Sequence, residues 1–203
     1  MRFEEITYVD HPAKDVLNAM IWRLEDMVPF MDNVSGIKTE IFETDPEGNI
    51  HTQRIWQGTS ASVPAVLRPF VSKNSLAWKD FAIWTPAAYR CDWRIESKHS
   101  KYSGCSGLNY FEPDPENPET RCRCVIAGEF VVHGDKLPAV PKFIGLKIAH
   151  KLESIILGYM MPNFRQLSVG LGKFLDAQKA APPALEAPAP APHVTPAPAG
   201  STE

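Results

Sequence analysis

Charge of one sign is scarce in this chain. Twenty-one basic side chains against 24 acidic ones leave a net −3 over 203 residues, with a pI near 6.1. Nucleic acid is bound by basic surfaces that neutralise phosphates, so the balance speaks against such a partner. Short catalytic signatures are also missing: there is no G-x-S-x-G elbow, no G-x-x-x-x-G-K-[ST] phosphate loop, no H-E-x-x-H and no G-x-G-x-x-G. Chemistry built on those motifs is excluded, whereas catalysis by dispersed side chains is not. The start, MRFEEITYVD, is acidic and holds no long apolar run, so it does not read as a secretory signal. The greasiest stretch, residues 143–161, still carries Lys147, His150, Lys151 and Glu153, which argues against a membrane span. The expectation is a soluble, cytoplasmic protein.

Cysteine is sparse too. Cys91, Cys105, Cys122 and Cys124 are the four present. Counting from assumed turns near His99–Ser100 and Pro115–Glu116 sets both Cys91 and Cys124 opposite Leu108. They would then lie two strands, or about 9.6 Å, apart. Zinc thiolates must all reach one ion at about 2.3 Å. No metal and no other cofactor is expected, and the thiols read as reduced core residues.

What the chain does have is a long amphipathic segment from Pro141 to Gln178. Ile144, Ile148, Leu152, Ile155 and Tyr159, then Phe164, Leu167, Leu171 and Phe174, recur at helical spacing. Pro162 predicts either a bend near Met161–Asn163 or two helices end to end. Upstream, Arg2–Val9 reads as a strand. Asp10 is a candidate N-cap, and Pro12 to about Met31 reads as a helix plus a short second piece. Strands follow at Val34–Thr44, Ile50–Gly58, Leu76–Trp84, Tyr89–Lys98, Tyr102–Glu112 and Thr120–His133. Arg90–Glu96 alternates charged and apolar residues strictly, the pattern of one wet and one dry face. Residues 1–178 therefore read as one domain. Residues 179–203, more than half of them Ala and Pro, read as a disordered, solvated tail reaching up to about 70 Å at about 3.1 Å per residue.

The order is strand, helix pair, six strands in hairpin succession, and a long final helix (β-α-α-β6-α). It resembles the START-like superfamily, also called SRPBCC or birch-pollen-allergen-like, and within it bacterial polyketide-cyclase and lipid-transport relatives. The resemblance rests on element order over residues 1–178, not on a short motif. It implies an α+β helix-grip fold: a curved antiparallel sheet of about seven strands wrapped around the C-terminal helix. An apolar cavity between sheet and helix is implied with it. The helix containing Pro162 is longer than the pattern usually has, and the Ala/Pro tail lies outside it.

If such a cavity exists, the aromatic residues of the strands are its candidate lining: Trp56, Trp78, Trp84, Tyr89, Trp93, Tyr110 and Phe130, with Ile156, Met160 and Phe164 from the helix. Apolar walls with a few polar groups are what hydrophobic-ligand sites are made of. Core packing is the competing use of each. Gly104, Gly107 and Gly128 leave room or let the sheet bend. On strand 50–58 periodicity leaves open whether His51, Gln53 and Ile55 or Thr52, Arg54 and Trp56 face inward. In the second case Arg54 would be an anchor for a carboxylate or phosphate headgroup. Asp80 interrupts Trp78–Trp84 and could face inward, but a surface or edge placement is the expectation.

Three functions follow. The first is binding, with possible intracellular transfer, of a hydrophobic small molecule or lipid, with Val63–Phe70 as a gate or transient membrane contact. The second is a cyclase- or dehydratase-type enzyme using Arg54, Asp80 or His51. The third is a protein-interaction module acting through the sheet or the tail.

Overall fold

The computed structural model describes residues 1–59, 76–98, 100–137 and 140–180, apart from the side chain of Tyr159. Val63–Phe70, His99 and the Ala/Pro tail lie outside the described residues.

Seven strands form one antiparallel sheet: β1 (Arg2–Val9), β2 (Val34–Thr44), β3 (Ile50–Gly58), β4 (Ala77–Thr85), β5 (Arg90–Glu96), β6 (Ser103–Pro113) and β7 (Cys122–Val132). Their order is β1-β7-β6-β5-β4-β3-β2, so only β1 departs from hairpin succession, crossing the sheet to pair with β7. Between β1 and β2 lie the helix α1 (Ala13–Trp22) and a 3-10 segment, Glu25–Phe30. The helix α2 (Lys142–Ala180) ends the described chain. This is the expected helix-grip arrangement. The strands agree with the sequence reading to within two residues at each end, because alternating side chains and proline-bearing turns mark both faces and ends.

Two register shifts in β2, at Val34/Gly36 and Thr39/Ile41, are of the kind that bend a strand over whatever it covers. Gly107 on β6 and Gly128 on β7 face each other across the ladder. A Cβ on Gly107 would lie 2.7 Å from the Trp93 ring, and one on Gly128 2.8 Å from the Phe3 ring. These glycines make room for aromatic rings of the protein itself.

α2 runs unbroken through Pro162. The proline ring deprives the carbonyl of Gly158, four residues back, of its helical donor. Both residues are exposed, so water can satisfy that oxygen. The buried stripe of the helix's first half differs from the expected one. Ile144 and Ile155 are exposed, while Glu153 and Leu157 are buried. Glu153 sits inside because its carboxylate accepts from the Val132 amide (2.9 Å) and the Met1 ammonium (3.1 Å). These bonds hold its pKa below the ordinary value against the opposing effect of burial. Farther along, Leu171 and Phe174 are buried as their spacing predicts. Thr7 meets Ser168 at 2.6 Å and His11 meets Asp176 at 2.9 Å, fastening the helix to the N-terminal elements.

Two finer expectations are corrected. Asp10 does not cap α1; the N-cap position falls on Pro12 without a side-chain bond, and Asp10 pairs instead with Arg121 at 3.3 Å. Cys91 lies opposite Asn109 rather than Leu108, and Cys124 opposite Phe111. The Cys122 and Cys124 sulfurs are 3.6 Å apart on one face of β7, both thiols free. Burial raises the Cys91 thiol well above its ordinary value. No cluster of metal-ligating side chains occurs among the described residues.

Candidate functional site

α2 packs chiefly on the short 3-10 turn Gly134–Lys136, on β1 and β7, and on the Glu25–Phe30 segment, at one side of the sheet. The inward faces of β3, β4 and β5 continue past it, and their aromatic side chains cross the gap. A cavity of about 350 Å³ lies there. Its walls are Trp56, Trp78, Trp84, Trp93 and Ile95 from the sheet, Phe130 from β7, and Met160, Phe164 and Leu167 from α2. Met20, Leu24 and Met31 close it from the α1 side. Trp56 and Trp78, opposite each other on β3 and β4, stack with centroids 5.8 Å apart. Trp93 tilts against Phe164 at 6.5 Å.

The polar groups are few. Trp84 Nε1 donates to Thr52 Oγ1 (3.2 Å) and Trp93 Nε1 donates to Asn109 Oδ1 (2.8 Å), so both indoles are satisfied within the protein. Trp56 Nε1 is buried without a hydrogen-bond partner among the described residues. Asn33 Nδ2 donates to Asn163 Oδ1 (3.0 Å), while Asn33 Oδ1 is buried with no partner among them. Asp80 completes this polar side of the lining. Burial pushes its carboxyl up to about 6; Arg54, its cross-strand neighbour, and the Trp56 indole, which falls short of a direct hydrogen bond, pull in the other direction.

β3 turns Thr52, Arg54 and Trp56 inward, settling the alternative left open by periodicity. Arg54 is 2% exposed, yet it is not a cavity wall. Its guanidinium donates to the Ile21 carbonyl, to the Met20 carbonyl (3.4 Å) and to Thr39 Oγ1 (3.4 Å). The Met20 and Ile21 oxygens lie in the last turn of α1, where carbonyls lack intrahelical donors and the dipole favours a cation. The fork expected to hold a ligand headgroup is thus spent on the end of a helix. His51 is on the opposite face of β3, bonded to Asp45 at 3.0 Å. Of the three acid–base candidates, only Asp80 reaches the cavity, contrary to its expected surface or edge placement.

Among the aromatic candidates, Trp56, Trp78, Trp84, Trp93, Phe130, Met160 and Phe164 share the cavity. Three others do not line it. Tyr89 ends the turn before β5 with a left-handed backbone (φ 50°) and packs at the edge of the core. Tyr110 alternates with the inward Asn109 and Phe111, so it faces outward. Ile156 joins a separate cluster with Val132 and Leu157. Asn33, Asn109 and Asn163, which the sequence reading passed over, line the cavity.

Among the described residues no helix is long and apolar enough to cross a membrane. No protein-family model and no curated protein matches the sequence. Solved structures do match in shape. TTHA0849 from Thermus thermophilus superposes with a TM-score of 0.61 at 15% identity, over 88% of this chain and 99% of its own. The Zhui aromatase/cyclase from Streptomyces sp. R1128 gives 0.60 at 14% identity, over 89% and 96%. The di-domain aromatase/cyclase StfQ of the steffimycin biosynthetic pathway gives 0.53 at 14% identity; the match covers 89% of this chain and 52% of that one. Identities this low speak to fold and not to activity. Together with the sheet order and the long C-terminal helix, these matches show a helix-grip fold.

Proposed function

We propose that the protein binds a compact hydrophobic small molecule in the cavity between α2 and the β3–β5 face. The observation that carries this reading is an apolar, aromatic-walled space of about 350 Å³ between sheet and helix. Ligand sites run from about 300 to 1,000 Å³, so this one suits a small ring system better than a two-chain lipid. The engagement of Arg54 with α1 removes the cation that would have held a phosphate headgroup. Native mass spectrometry of mildly purified protein, followed by extraction, tests the reading. We expect a bound or readily taken-up apolar molecule. A protein that stays empty across a panel of neutral ring compounds overturns it.

A second reading, acid–base catalysis on such a ligand, is favoured by Asp80 alone. A carboxyl held at about 6 in an apolar cavity can exchange a proton near neutral pH. Asp80→Asn should then abolish turnover of a bound substrate while leaving binding of an inert ring compound in place. Retained turnover would refute this reading.

A further inference from the structure

The first half of α2 carries an apolar face that no described residue covers. Gly145, Glu153 and Leu157 are buried and mark the side turned to the sheet. With about 3.6 residues per turn, Ile144, Lys147, Lys151 and Ile155 fall on the opposite side, all of them exposed, with Phe143 at its edge. Phe143 and Leu146, 65% and 63% exposed, are the most exposed large apolar side chains among the described residues. Periodicity assigns Ile144 and Ile155 to the buried stripe, yet the helix is not free to roll and hide them. Gly134 and Gly145 meet backbone to backbone, since a Cβ on either would run into the other's carbonyl oxygen. Glu153 is fastened to Val132 and Met1. It is also the only acid between Lys142 and Ile155, so Lys142, Lys147 and Lys151 make the outer side positive in a chain of net charge −3.

We propose that this outward face of α2 docks the protein on an anionic lipid surface, lying in the headgroup layer rather than crossing the bilayer. Apolar side chains interleaved with lysines suit that layer: Phe143, Ile144, Leu146 and Ile155 enter beneath the headgroups while the ammoniums reach lipid phosphates. A second copy of the chain is a poorer occupant, because it would set its own lysines against these. The docking face and one wall of the cavity lie at the same end of the sheet. Ser103, a cavity residue at the start of β6, pairs with Val132, and the chain then enters the Gly134–Lys136 turn that holds α2. The proposal does not depend on the cavity being a ligand site.

Vesicle flotation of the full chain tests this, comparing phosphatidylcholine alone with phosphatidylcholine carrying about a third phosphatidylglycerol. The protein should rise with the anionic vesicles and bind them at least about tenfold more tightly than the neutral ones, each lysine near such a surface adding about fivefold. Raising the salt from about 0.1 M to about 0.5 M should erase most of that preference. Phe143→Ala combined with Leu146→Ala should weaken binding about tenfold or more. Its melting temperature should hold, because both side chains are exposed. Lys147→Gln combined with Lys151→Gln should remove most of the preference for anionic vesicles and leave the weaker neutral binding in place. Failure to float with anionic vesicles, or flotation untouched by either double variant, would overturn the inference. So would a dimer in lipid-free solution that the alanine pair dissolves while vesicles are ignored, which would give the face to a second copy. None of the four substituted residues lines the cavity, so uptake of ring compounds should be equal in all variants whatever the vesicles show.

Discussion

Replacing Arg54 with methionine separates a structural cation from a ligand anchor. Methionine keeps much of the apolar stem and removes the guanidinium, whose central carbon lies 5.9 Å from the Trp84 ring centroid, so the change takes away the charge and its donors. Two carbonyls at the end of α1, those of Met20 and Ile21, lose their donor. Asp80 loses the positive charge that offsets part of its burial. Removing one side of a buried, hydrogen-bonded charge typically costs about 3–5 kcal/mol. For a domain of this size about 2–4 °C of Tm accompanies each kcal/mol, which predicts a fall of roughly 6–20 °C at about pH 8. Thermal melts followed by circular dichroism measure this directly. Adding Asp80→Asn to Arg54→Met should recover about 0.5–3 kcal/mol, because the two residues are coupled. A fall of less than about 2 °C would refute the reasoning. So would an unchanged Tm accompanied by loss of an anionic ligand, which would return Arg54 to the role of headgroup anchor.

Asp80 should tie stability to pH. Its carboxyl is raised from 3.8 to about 6 by burial, so between those values the folded protein holds a proton that the unfolded chain has released. Stability from this group is therefore present at low pH and lost as pH rises through about 6, by roughly 3 kcal/mol in all. Asp80→Asn should flatten that slope and stabilise the protein above pH 6, as read from urea midpoints across pH; an unchanged slope would contradict this. Gly107→Ala drives a methyl group to 2.2 Å from the Ala127 carbonyl and into the Trp93 ring, and should cost about 1–3 kcal/mol or more. Gly104→Ala, with nothing within 4 Å, should stay within about 0.5 kcal/mol, so equal losses at both glycines would show that the ring seat is misplaced.

The fold was legible in the sequence because its signals are local. Arg90–Glu96 alternates so strictly that strand, face and ends can be read from seven residues. Tyr110 could have been assigned by the same alternation, since Asn109 and Phe111 are its neighbours, but its aromatic character suggested a wall. The site was less legible because it depends on register across long connections. Asp80 meets Arg54 only through the β3–β4 pairing, and the 18 residues between Gly58 and Ala77 carry no signal that fixes it. The true role of Arg54 depends on α1 ending beneath it, a contact between residues more than thirty positions apart. Asn33 and Asn163 lie in different elements 130 residues apart, and neither stands out by composition.

The central claim, that a guest molecule enters between the sheet and α2, is tested most directly through the six methionine methyl groups. Met20, Met31 and Met160 line the cavity, whereas Met27 is buried elsewhere in the core and Met1 lies at the β1 edge. With methionine methyls labelled for NMR, titration with 2-naphthol should shift Met20, Met31 and Met160 together and leave Met1 and Met27 in place. Saturable binding that moves none of those three, or no response at any concentration the probe can reach, would contradict the account.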